Sequence, residues 1–167
     1  MFGAEVRRGP FSLEILANTI YGPSYLSLQY ALAHYGLIPE GVTEVTSVSL
    51  TRGKRFETPV GRFSYHAVPE RAFGIGVDQL AMEKGASCLM ATREKALADT
   101  LYLTRALRLT SAREMRIYLT DSLRMDEDAL AELDGEALGA IAERYDSGRV
   151  SLLAETISLL SKESPRE

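Results

Sequence analysis

Apolar and polar positions along the chain fall into three successive patterns, helical, then alternating, then helical again. Ser12 is placed to cap a short helix running to about Asn18, with Leu13, Leu16, Ala17 and Ile20 at helical spacing. Gly22-Pro23 interrupts the chain, Ser24 is the next natural N-cap, and Tyr25, Leu28, Leu32 and Tyr35 recur every three or four residues until Gly36 ends the helix. Ile38-Pro39 then forces an extended exit. From Thr43 to Leu50 β-branched residues recur at period two, and in FETPVGRFSYHAV the run Pro59-Val60-Gly61 is a turn between two extended segments. FGIGV and SCLMA read as two further strands on either side of a loop from Asp78 to Gly85.

From Thr92 the period becomes helical and stays so. TREKALADTLYLTRAL has Thr92 as cap, a buried stripe of Ala96, Leu97, Leu101 and Tyr102 to Leu103, and no glycine or proline inside. Ser111 caps a helix to Leu119, Asp126 a short one and Asp134 a third, while Ser147-Gly148 precedes a last helix ending near Lys162, with a frayed SPRE tail. The predicted fold class is α+β: two N-terminal helices, a small, mostly antiparallel sheet in the middle, and a C-terminal bundle of four to five helices. With no repeat and no Pro-, Gly- or Ser-rich linker, residues 1–167 read as a single domain, an α/β core over 11–103 and a helical part over 104–163.

Composition narrows the function classes. At 46% hydrophobic and 25% charged the chain has enough apolar residues for a core, and no apolar run reaches the length of a membrane span or a signal peptide, so the expected compartment is the cytoplasm. One cysteine excludes an intrachain disulfide, and two histidines provide no Cys/His zinc cluster, so neither a metal nor a cofactor is expected. Cys88, within Ala-Ser-Cys-Leu-Met-Ala, reads as a buried structural thiol, and His34 and His66 as packed side chains. Gly74-Ile-Gly76 starts like a dinucleotide fingerprint, but Gln79 occupies the position of the third glycine; Walker, Gly-x-Ser-x-Gly and His-Glu-x-x-His motifs are absent.

The net charge of −4 is unevenly placed. Residues 92–124 hold seven basic residues against four acidic ones, whereas 126–146 hold eight acidic residues and only Arg144. Arg105 with Arg108, and Arg113 with Arg116, are spaced to share helix faces and contact phosphates. The alternative is a solvated face whose arginines pair with the acidic helices beside it. Arg52, Lys54 and Arg55 lie on a predicted hairpin turn, where they either reach a nucleic-acid backbone or keep an edge strand soluble.

Taken in order, FSLEILANTIYGPSYLSLQYALAHYGLIPE, then GRFSYHAVPERAFGIG, then MATREKALADTLYL resemble the AbiEi-like antitoxin family of type IV toxin-antitoxin systems, also described as predicted transcriptional regulators. The matching features span roughly residues 11–103: Leu16-Ala17-Asn18, the Tyr21, Gly22, Pro23, Ser24, Tyr25 segment, the Ala31-Leu32 to Gly36 helix end, and Glu94, Lys95, Ala96, Leu97 with Asp99. Family members carry an N-terminal winged-helix head that binds DNA. The ten or so residues before the matching region leave no room for one, so the expectation is a headless antitoxin domain with Arg7 and Arg8 at the connection.

The resemblance implies a noncatalytic antitoxin that opposes a nucleotidyltransferase-like toxin without a stable complex. The alternative is a nucleic-acid-binding transcriptional regulator using the basic helical face, with DNA as partner. For the motif itself the reading is structural: the two tyrosines pack between helix and sheet, and Lys95 pairs with Asp99 four residues on. Glu94 and Asp99, five apart, fall on different helix faces, a poor start for a shared acid-base site.

Overall fold

A computed structural model describes residues 12–164. Arg7 and Arg8, and the tail beyond Ser164, lie outside the described residues. The elements run α1 (Leu13–Ile20), β1 (Ser24–Leu26), α2 (Leu28–His34), β2 (Glu44–Ser49), β3 (Lys54–Thr58), β4 (Gly61–Ala67), α3 (Glu70–Phe73), β5 (Val77–Ala81), β6 (Ser87–Ala91), α4 (Arg93–Leu103), α5 (Ala112–Ile117), α6 (Glu127–Ala131), α7 (Gly135–Tyr145) and α8 (Gly148–Glu163). The class is α+β, but helices and strands are interspersed instead of falling into the expected blocks.

The six strands form one sheet in the order β3-β4-β2-β1-β6-β5. Three pairings are antiparallel, but β1 runs parallel to β6 and β2 parallel to β4, so the sheet is mixed. β2 and β3 do not form a hairpin. β3 lies outside β4, on the sheet edge, and the Pro59-Val60 turn joins β3 to β4 as its sequence requires, with the Thr58 hydroxyl accepting from the Val60 and Gly61 amides. The expected loop from Asp78 is also shorter: Asp78 to Ala81 belong to β5, an edge strand that leaves Asp78 and Gln79 in solvent and so shows no apolar alternation.

The largest departure is β1. Ser24 does not cap a helix; with Tyr25 and Leu26 it forms a buried strand between β2 and β6. The next helix starts three residues later, at Leu28. Tyr25 and Leu28 fit a helical stripe in sequence, but pairing on both sides satisfies three buried backbone units that a frayed first turn would leave open. Ser27 is the new N-cap, although its hydroxyl does not cap. Thr46 on β2 accepts from the Tyr30 amide instead, while its own hydroxyl donates to the Ser27 carbonyl. Leu28 makes this change of direction at φ 59°, a left-handed conformation strained for a bulky side chain.

Strand alternation puts Tyr25, Val48 and His66 on one sheet face and Leu26, Ser47 and Tyr65 on the other. α1 covers the second face, where the Tyr65 hydroxyl donates to the Ala17 carbonyl at 2.5 Å. α2 and α4 cover the first, with α7 and α8 packed behind α4. α4 is thereby enclosed: every residue from Glu94 to Leu101 is buried, where a single apolar stripe is expected. It ends at Leu103, short of the expected Leu107, because Arg149 of α8 donates to the carbonyls of Leu101, Tyr102 and Arg105. Arg105 and Arg108 consequently sit in the following loop, not on a helix face.

The remaining helical caps agree with expectation. Ser12, Thr92, Ser111, Asp126 and Asp134 each accept a backbone amide at a helix start. α5 continues past Ile117 as a π turn over Tyr118–Ser122. Among the described residues no helix is long and apolar enough to cross a membrane.

Candidate functional site

Lys95 and Asp99 sit one turn apart at the centre of the enclosed helix, and both side chains are wholly shielded from solvent. The expected ion pair forms, with Nζ 3.4 Å from Oδ1. The rest of the arrangement comes from three other elements. Tyr25 of β1 donates its hydroxyl to Asp99 Oδ2 at 2.9 Å, Ser27 donates to the same oxygen at 2.7 Å, and Tyr145 at the end of α7 donates to Oδ1. Lys95 Nζ donates to the Ala72 carbonyl of α3 and lies 4.6 Å from the centre of the Tyr145 ring. Tyr102 stacks on the Tyr145 ring with centroids 4.6 Å apart. One carboxylate thus takes hydrogen bonds from a strand, a strand-helix junction and the last helical hairpin.

Burial pushes Asp99 up from the ordinary carboxylate value, while the Lys95 charge and the three hydroxyls pull it back; burial likewise pushes Lys95 down against the attraction of Asp99. Tyr25 and Tyr145 are driven well above the usual phenol range, first by burial and then by the Asp99 charge beside them. With the carboxylate accepting from three hydroxyls and an ammonium, the ionised pair is the form these contacts satisfy. Neither charged side chain reaches solvent, so the cluster holds the strand, α4 and α7 together.

Gly76 explains the glycine pair that resembled a nucleotide loop. It adopts φ 74°, its carbonyl accepts from the Thr92 amide at 2.9 Å, and a Cβ there would sit 2.9 Å from Lys95 Cβ and 3.2 Å from Ile141 Cδ1. Gly76→Ala is therefore expected to cost about 2–4 kcal/mol from left-handed strain and overpacking. Thermal unfolding of the variant measures it; a loss below about 0.5 kcal/mol would mean that the Lys95 stem moves aside freely.

The motif residues divide by role. Tyr25, Lys95 and Asp99 meet in the cluster, with Tyr25 filling the space between sheet and α4. Tyr21 packs on the opposite side of the sheet against Tyr65 and Phe56, with its hydroxyl 2.9 Å from that of Thr51. Ser24 donates to the Tyr21 carbonyl, and Gly22 and Pro23 carry the chain between them. Glu94 turns away from Asp99 and accepts from the Asp134 amide at 2.9 Å.

The basic residues divide as well. Arg116 is held by Glu127 and Glu163, Arg124 by Glu40 and Arg55 by Glu44, the pairing expected of a solvated face. Lys54 lies over the Tyr21 and Phe56 rings on the edge strand. Arg52, Arg105, Arg108 and Arg113 are exposed and have no carboxylate within ion-pair distance among the described residues. The two three-residue pairs therefore do not make one basic helical face. Cys88 is buried, with burial raising its thiol, and no group of three or more His, Cys, Asp or Glu side chains able to hold a metal exists among the described residues.

Sequence reasoning missed Ser27, Tyr145 and Gly76. A buried acidic residue calls for donors, but nothing local says that they come from 72, 74 and 46 positions away. No protein-family model matches the chain, and no curated protein matches it.

Proposed function

We propose that the chain is a noncatalytic antitoxin-type regulator that counteracts a nucleotidyltransferase-like toxin in the cytoplasm. What supports the reading is the resemblance carried by Tyr21 to Tyr25 and by Glu94 to Asp99, together with one observation: the two motifs, far apart in sequence, close on a single sealed carboxylate. A signature used to lock a strand to a central helix travels with a fold, and leaves the surface free to act. The test is inducible expression of the open reading frame that neighbours the one for this chain, with and without this chain. Restored growth is expected; no rescue by soluble chain against a demonstrably toxic neighbour would remove the reading.

A second reading, nucleic-acid binding, draws on Arg52, Arg105, Arg108 and Arg113, exposed and without carboxylate partners among the described residues. Three of them, Arg105, Arg108 and Arg113, follow α4 in one stretch, the first two in the loop after α4 and Arg113 in the first turn of α5. If they bind duplex DNA, affinity falls with salt at a log-log slope of about −2 to −3, and Arg105→Ala/Arg108→Ala reduces that slope. A slope near zero removes this reading.

A further inference from the structure

α5 and α8 pack side by side and leave a groove of about 210 Å³ between them. Its walls are apolar, from Ala112, Leu159 and Leu160, and its rim carries Arg113, Arg116 and Glu163. Leu160 belongs to the core, but Leu159 is 43% exposed, and Ile117, one helical turn beyond Arg113 on the same face of α5, is 48% exposed. These are two of the five large apolar side chains exposed among the described residues; Leu159 lines the groove, and Ile117 lies beyond its lining at the end of α5.

Charge gives the groove a direction. Arg116 is neutralised by Glu127 and Glu163, so the groove's far end continues into carboxylates. Arg113 has no acidic partner among the described residues, and neither have Arg105 and Arg108 in the loop leading into α5. The near end is therefore a positive rim beside exposed Leu159. An apolar surface with an unneutralised guanidinium on its border fits an apolar stripe flanked by carboxylates.

We propose that the α5/α8 groove docks an acidic amphipathic helix of a protein partner, its apolar stripe over Leu159 and Ala112 and its carboxylates on Arg113. A groove between two helices takes a third along its ridge, with anchors at every third or fourth residue. The inference stands on this surface alone and does not depend on the antitoxin reading.

The probe is a fluorescein-labelled helical peptide of about fifteen residues, with leucines at i, i+3, i+4 and i+7 and glutamates beside them, compared with the same peptide carrying lysines for glutamates. Anisotropy titrations against the full chain are expected to give a Kd of tens of micromolar for the acidic peptide and at least about tenfold weaker binding for the basic one. Leu159→Ser should weaken binding about tenfold and Arg113→Glu should reverse the preference between the peptides, both with unchanged melting midpoints because both side chains are exposed. Equal binding of the two peptides, or no saturation below about 1 mM, overturns the proposal. So does dimerisation that Leu159→Ser abolishes, which would give the groove to a second copy. Arg113-dependent capture of a duplex of about 20 base pairs, with no peptide bound, would give it to nucleic acid.

Discussion

Asp99→Ala is expected to cost about 3–5 kcal/mol, because it strands a buried charge and three buried hydroxyls in one step. With the carboxylate gone, the Lys95 ammonium keeps only the Ala72 carbonyl and the face of the Tyr145 ring, while Tyr25, Ser27 and Tyr145 lose their acceptor. Against a domain stability of about 5–15 kcal/mol, that is at least about a fifth of the total. Lys95→Met should cost less, about 2–3 kcal/mol, since Asp99 keeps three donors and the thioether fills the channel beside Gly76. Losing both partners together should then cost less than the sum of the two changes. Urea denaturation of Lys95→Met, Asp99→Ala and the double variant gives the coupling directly. A loss below about 1 kcal/mol for Asp99→Ala would mean that water enters and re-satisfies the hydroxyls, and the cluster would not be the lock described above.

What could be read from the sequence follows from how local each determinant is. The caps at Ser111, Asp126 and Asp134 were legible because a cap and the amides it serves lie within three residues of each other. The Lys95–Asp99 pair was legible for the same reason, since four-residue spacing on a helix brings side chains together whatever surrounds them. Ser24 was misread because its real partners are Ser49 and its strand neighbours, and a three-residue buried strand carries no period of its own. The run from Glu44 to Ser49 announces a strand, but its period cannot say that β4 will lie parallel to it while β3 is pushed outward. Arg105 and Arg108 were placed on a helix because nothing between Leu97 and Leu107 breaks one. The terminator is Arg149, 48 residues beyond Leu101. The buried cluster was half visible in the same way: its ion pair is local, while Tyr25, Ser27 and Tyr145 reach it only after the sheet and the last helices have assembled.

The same cluster sets how the protein should respond to alkali. Tyr25, Tyr65 and Tyr145 are each at most 1% exposed, and burial raises all three phenols, Tyr65 to about 12 and the other two, beside Asp99, further. In the unfolded chain they ionise near 10. A raised native value means that the contribution is complete below that pH and is lost as pH climbs from there toward the native values, because the unfolded state releases protons that the folded state retains. Lys95, pushed down, acts oppositely but only below the unfolded lysine value of about 10.4, so it cannot offset the loss above that. Together with Tyr30 and Tyr35, whose phenols burial also raises, these tyrosines should lower stability by up to about 7 kcal/mol per pH unit above roughly pH 10.5. Urea midpoints should therefore be steady near pH 9 and fall steeply toward pH 11, with tyrosinate absorbance rising in the same step as the loss of helical circular dichroism. Tyr25→Phe removes one of the five raised groups, so the variant, less stable at neutral pH, should show a shallower alkaline slope by about a fifth. If the tyrosinate absorbance that Tyr25→Phe removes instead develops in the folded protein near pH 10, with the circular dichroism intact, the hydroxyls around Asp99 are open to water and the sealed-cluster account fails.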